Sequence, residues 1–219
     1  MKSLGPMQHT GAQQTAAQQR PARVRILDAA HELMLTVGLT RATTKEIARA
    51  AGCSEAALYK YFASKEELFI CVLKERLPQL TPLLSHLAAE PGRRGLEENL
   101  TEIARQAALF YEQSFPIAAS LYAETQLKRR HDEAMREMGS GPHMPIRLLD
   151  TYLRAERDAG RVRADADTFA AASLLLGACA QRAFAYEAAA EERPPVDTFA
   201  SRLAQALLSG LTPPITDPT

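Results

Sequence analysis

The stretch "ATTKEIARAAGCSEAALYKYF", residues 42–62, decides how this chain is read. Two short helical patterns are separated at Gly52, a residue that ends helices because it enters the left-handed region without steric cost. Thr43 and Glu46 have the spacing of a capping box and start the first pattern, in which Ile47, Ala48 and Ala51 face inward. Ser54 is placed to cap the second. There Leu58 and Phe62, four residues apart, form an apolar inner edge, while Glu55, Ala56 and Tyr59 project from the opposite side. A short helix over residues 54–62, held at a fixed angle by its predecessor so that its wet face can enter a major groove, is a helix-turn-helix.

The flanks fit that frame. Upstream, Pro21 stands in a first helical turn, and Val24, Leu27, Ala30, Leu33 or Met34, and Val37 recur at helical spacing until Gly38 supplies a stop. Downstream, Ser64 and Glu67 make another capping box and start a long fourth helix through Leu68, Val72, Leu73 and Leu77, ended or kinked by Pro78 or Pro82. The remainder is helical by pattern over about 94–114, 116–138, 143–159, 165–189 and 197–210, with breaks at Pro91-Gly92, Pro116, Gly139 to Pro145, Gly160 and Pro194-Pro195. No strand-like alternation of useful length occurs. The expected fold is all-α: a tail over 1–20, a three-helix helix-turn-helix domain over 21–66, and a helical bundle over 67–219.

Composition narrows the class. With 219 residues and 46% hydrophobic content the chain can bury a core, and no run of eighteen apolar residues suggests a membrane span. The first twenty residues, rich in Gln, Ala and Thr, carry no apolar signal-peptide region, so the expected location is cytoplasmic. Three scattered cysteines, Cys53, Cys71 and Cys179, read as reduced thiols. Net charge is zero, yet Arg20 to Lys65 holds eight basic and four acidic residues, which leaves the rest of the chain acidic. A basic segment on a protein of zero net charge is in keeping with a nucleic-acid face, since charge acts by surface and not by total.

"TTKEIARAAGCSEAALYKYFASKEELF", residues 43–69, resembles the DNA-binding signature of the TetR/AcrR family of transcriptional repressors. The resemblance spans about residues 22–77 and departs from the family pattern at Cys53, where Val is common, and at Lys60, where His is frequent. The helix-turn-helix geometry together with this resemblance nominates Thr44, Glu55, Ala56, Ala57, Tyr59, Lys60, Tyr61 and Lys65 as DNA-contacting residues. Thr44 and Lys65 sit at helix starts, where donors and the helix dipole favour phosphate. The resemblance also implies a homodimer on a palindromic operator, joined through its last two long helices and displaced by a small-molecule effector. The small residues and leucines of 165–189, with Phe184, and Phe199, Leu203, Ala206 and Leu207 of 197–210, suit that joint. As the mechanical link between effector and DNA, the fourth helix is expected to tilt.

An effector cavity is expected in the C-terminal bundle, with Phe110, Tyr111, Phe115, Tyr122, Met138, Met144, Leu149, Tyr152 and Cys179 as candidate lining. The spacing of His131, His143 and Cys179 gives no support to a metal site, and no cofactor or catalytic group is expected. Two other readings compete: a DNA-processing enzyme, for which Glu97, Glu98 and Glu102 are the only carboxylate row, and a helical protein-interaction module.

Overall fold

In the computed structural model, which describes residues 20–39, 41–78, 80–123, 125–137 and 139–211, the secondary structure of the described residues is helical throughout. The helices are α1 (Ala22–Thr36), α2 (Thr44–Ala50), α3 (Glu55–Leu58), α4 (Lys65–Glu75), α5 (Leu80–Ala89), α6 (Leu96–Ala123), α7 (Thr125–Glu137), α8 (Met144–Asp158), α9 (Thr168–Ala185) and α10 (Val196–Leu211). The chain divides into two compact units. Residues up to Arg76 join Ser120–His131 in the first, and Leu77–Ala119 joins the residues from Asp132 onward in the second.

The first unit is organised by its caps. Thr43 Oγ1 accepts from the Glu46 amide at 3.2 Å and the Glu46 carboxylate accepts from the Thr43 amide at 3.1 Å, so the expected capping box is closed in both directions. At α4 only half of the expected box forms: Ser64 Oγ accepts from the Glu67 amide at 3.0 Å, but the Glu67 carboxylate turns to the amide of Ala63 instead, at 2.6 Å. Gly38 and Gly52 end α1 and α2 at φ +83° and +66°, values that side chains with a Cβ rarely adopt. Against the core, α1 turns Ile26, Leu27, Ala29, Ala30 and Met34. Val37, expected on that face, is exposed, because the helix has ended one residue before it. The far end of α4 is stapled to α1 by the two-pronged Arg23–Glu75 pair, 2.8 and 2.5 Å, and by Arg76–Asp28 at 2.7 Å. These staples carry the compact unit to Arg76, ten residues past the boundary suggested by the sequence.

Proline placement accounts for two differences from the sequence reading. Pro78 follows the end of α4, and Leu80–Ala89 is a separate helix with Pro82 in its first turn, where a missing N–H costs nothing. Pro116, expected to break the chain, lies inside the continuous 28-residue α6. Burial of Ala107 and Ala108 before it and Ile117 after it outweighs one lost backbone hydrogen bond.

In the second unit α5 and α9 pack on α8, and α10 packs on α9. The core holds Leu84, Leu100, Ile103, Leu149, Tyr152, Leu153, Leu175 and Cys179. Two pairs of its buried polar groups satisfy each other: Asn99 donates to the Tyr152 hydroxyl at 2.8 Å, and Thr168 donates to Asp150 at 2.6 Å. α9 is long and apolar enough to cross a bilayer, but its inner face is packed into this core and bears Arg182, which marks it as a bundle helix.

Candidate nucleic-acid interface

Residues 54–62 hold the centre of the first unit's candidate surface. Ser54 Oγ accepts from the Ala57 amide at 3.1 Å and fixes the helix start. The helix itself is shorter than the nine residues expected, running only from Glu55 to Leu58. Past it the turns tighten: Lys60 and Tyr61 donate to carbonyls three residues back, at 3.3 and 3.0 Å, while Phe62 returns to the four-residue spacing at 3.2 Å. The chain thus stays coiled through Phe62 and keeps the two edges apart. Leu58 and Phe62 are 0% and 1% exposed, whereas Tyr59 and Tyr61 are 47% and 46% exposed. Glu55, Ala56 and Lys60 are exposed with them and Ala57 is half-buried.

The inner edge is held from several sides. The Arg23 guanidinium lies 5.4 Å from the centre of the Phe62 ring, and Arg23 is itself pinned by Glu75. That pairing holds the Glu75 carboxyl below the usual carboxylate range, through its hydrogen bond to Arg23 first. Glu46 is held low in the same way, by the hydroxyl and then the amide of Thr43.

On the outer edge, α2 and α3 are joined by side chains. Thr44 Oγ1 donates to Glu55 Oε1 at 2.5 Å, and Tyr59 Oη lies 3.5 Å from Thr44 Oγ1. Lys65 is half-buried: its ammonium donates to the Leu39 carbonyl at 3.2 Å and lies 5.0 Å from the centre of the Phe69 ring. Arg41, Lys45 and Arg49, counted only as charge in the sequence, are all exposed on or beside α2. Their signal was available, since Lys45 directly follows Thr44 at the helix start.

The candidate effector residues do not come together as a set. Leu149, Tyr152 and Cys179 are fully buried core, and burial pushes the Cys179 thiol up to about 12. Phe110, Tyr111, Phe115 and Met144 are half-buried. Phe110 meets Tyr111 edge-on at 5.4 Å, and Phe115 meets the exposed Phe184 at 5.7 Å. Tyr122 belongs to the first unit, 67% exposed beneath the Lys128 ammonium, and Met138 lies outside the described residues. A cleft of about 270 Å³ opens elsewhere in the second unit, against Leu83, His86, Leu87, Arg93 and Asn99. The carboxylate row of α6 is engaged: Glu98 with Arg94 at 3.6 Å, Glu102 with Arg105 at 2.8 Å, and Glu97 with the Gln205 amide at 3.5 Å. Among the described residues no three His, Cys, Asp or Glu side chains are grouped to hold a metal ion.

Of the expected dimer-face residues, Leu175 and Leu176 are consumed by the chain's own core. Phe169, Leu174, Gly177 and Phe184 are exposed in an apolar stripe along α9.

Comparison with known proteins bears on the same segments. Residues 26–72 match the family model of bacterial regulatory proteins of the tetR family. The fatty acid metabolism regulator protein of Bacillus subtilis (strain 168) is 23% identical over 168 residues, which cover 73% of this chain and 80% of that one. The HTH-type transcriptional regulator SrpR of Pseudomonas putida is 42% identical over 65 residues, only 30% of each chain. The structure of the fatty acid degradation regulator FadR from Bacillus halodurans superposes with a TM-score of 0.63 at 20% identity, over 87% of this chain and 96% of that one, a likeness of fold. Residues 26–72, which include the Ser54–Phe62 turn, thus carry a DNA-binding segment of the kind found in bacterial regulatory proteins of the tetR family, and the helical unit that follows shares the fold of a known regulator.

Proposed function

We propose that this protein is a repressor that binds a palindromic operator as a homodimer and leaves it when a small molecule occupies the second unit. The observation that carries the reading is the split across residues 54–62, with Leu58 and Phe62 sealed in and Tyr59 and Tyr61 nearly half exposed on the other edge. Two exposed tyrosines flanking a lysine give a surface that both stacks and donates hydrogen bonds, as groove and phosphate contacts need. In this reading Tyr59, Lys60 and Tyr61 meet the groove and its walls, Ala56 and Ala57 allow close approach, and the helix-start amide of Thr44 and the Lys65 ammonium meet phosphates. Exposed Arg41 and Lys45 widen the cationic rim. The apolar stripe of α9, with Gly177 at its middle, supports pairing with the same helix of a second copy, and α10 flanks it. Two half-sites then lie about 34 to 36 Å apart. A protein that works on chromosomal DNA in a bacterium acts in the cytoplasm, where we place it.

Anisotropy titrations of the full chain against the DNA flanking its own gene, at about 50 and 200 mM salt, test the reading. Submicromolar binding that weakens by about two orders of magnitude or more between those salts supports a regulator. Salt-independent binding, or none, favours the protein-interaction module.

A further inference from the structure

Four of the five carboxylates on α2, α3 and α4 are committed to a cap or a cation. Glu46 caps α2, Glu67 caps the start of α4, Glu66 faces Arg130 at 3.7 Å and Glu75 pairs with Arg23. Glu55 is different. It is exposed at the first position of α3, yet Ser54 does the capping there, and the partner that holds its carboxylate is a neutral hydroxyl on another helix, Thr44 Oγ1. An anion on a face that approaches phosphates weakens binding to every duplex. It repays that cost only where a base offers a hydrogen-bond donor.

We propose that Glu55 is a specificity-determining residue that reads a cytosine in each half-site, with Thr44 as the positioning residue that aims it. The inference rests on the DNA-binding reading above. In the major groove guanine and thymine present acceptors, which a carboxylate rejects. Adenine presents a donor beside an acceptor, the pattern matched by an amide; cytosine presents the N4 amino group alone. With Thr44 holding Oε1, the carboxylate is fixed in place and can only accept, which suits the lone amino donor of cytosine. Tyr59 Oη, 3.5 Å from the Thr44 hydroxyl, extends the chain of polar groups along the groove-facing edge.

The test is selection of duplexes from a randomised pool by the full-length wild type, Glu55→Gln, Thr44→Val and Thr44→Ser, each first shown to keep its helical content and melting temperature. The wild type is expected to enrich a palindrome with cytosine at one fixed position per half-site. Glu55→Gln changes that position to adenine and leaves the others alone; Thr44→Val relaxes it and Thr44→Ser retains it. Replacing that cytosine by 2-pyrimidinone, which lacks the 4-amino group, then weakens wild-type binding about tenfold, near 1.4 kcal/mol, and Glu55→Gln far less. An unchanged consensus in Glu55→Gln, or equal sensitivity of both proteins to the base analogue, overturns the inference while leaving the DNA-binding reading intact. No enriched motif with the wild type overturns the DNA-binding reading, and this inference with it.

Discussion

Leu58→Ala and Tyr59→Ala are adjacent substitutions with opposite expected outcomes. Leu58 is wholly buried in a four-residue helix that has one side-chain cap and few backbone bonds of its own. Its truncation removes apolar burial and leaves a cavity that so short a helix cannot close, so the cost falls at about 3 to 5 kcal/mol, the upper part of the range for buried leucines. For a chain of this size that is a fall in melting temperature of roughly 6 to 20 °C, followed by far-ultraviolet circular dichroism. Tyr59 is 47% exposed and its hydroxyl has only a marginal approach to Thr44 at 3.5 Å, so Tyr59→Ala changes stability by about 0.5 kcal/mol or less. In anisotropy titrations against operator DNA, Tyr59→Ala weakens binding at least tenfold while remaining folded. Equal loss of stability in the two variants would refute the assignment of edges, and so would unchanged DNA affinity in folded Tyr59→Ala.

Three further outcomes follow from the geometry. Leu174→Asp, on the exposed stripe of α9, abolishes dimerisation in sedimentation velocity without lowering the helical content, because the site is outside the chain's own core. The Glu112 carboxylate lies between the buried Arg182 and the half-buried Arg193 guanidiniums; Glu112→Gln leaves two cations facing each other and costs about 3 kcal/mol in urea denaturation. Since Glu75 is held below its unfolded value, its pair with Arg23 stabilises fully above the ordinary carboxylate pKa and is lost as pH falls through the depressed value. Both side chains are more than a third exposed, so the effect is about 0.5 to 1 kcal/mol, read as a smaller acid sensitivity in Glu75→Gln.

The first unit was legible because its instructions are local. Thr43, Ser54 and Ser64 each cap the helix they precede, Gly38 and Gly52 sit at the turns that need them, and Leu58 and Phe62 are the edge that the spacing marked. The second unit obeys long-range packing that no window shows. Pro116 reads as a breaker, but the helix is continuous because burial on both sides of it holds it together. Pro78 and Pro82 read alike as an end or a kink of the fourth helix; Pro78 follows its end, and Pro82 sits in the first turn of a separate helix, where a proline is tolerated and where the burial of Leu80 and Leu84 holds it. Aromatic side chains give no sign in sequence of whether they line a cavity or fill it: Tyr152 is sealed by Asn99, while Tyr122, thirty residues earlier, stands in the solvent of the other unit. The Thr44–Glu55 hydrogen bond was equally hidden, because it joins residues eleven apart across a turn.

A chain of zero net charge that binds DNA must separate its charges, and the first unit does so through hydrogen bonds more than through composition. Its acidic side chains are largely withdrawn: Asp28 turns to Arg76 and Arg20, Glu46 and Glu67 fold back onto amides, and Glu75 is clasped by Arg23. A carboxylate in a cap or a close ion pair projects little field beyond a Debye length of about 8 Å, so the unpaired rim of Arg41, Lys45 and Lys60 dominates what an approaching phosphate feels. In the proposed dimer these cations from both copies drive non-specific attraction, which is blind to sequence. In the proposed mode of binding, discrimination between sequences comes from the short tyrosine-bearing turn and its Glu55 carboxylate, and the accuracy of that turn depends on the buried Leu58 and Phe62 beneath it.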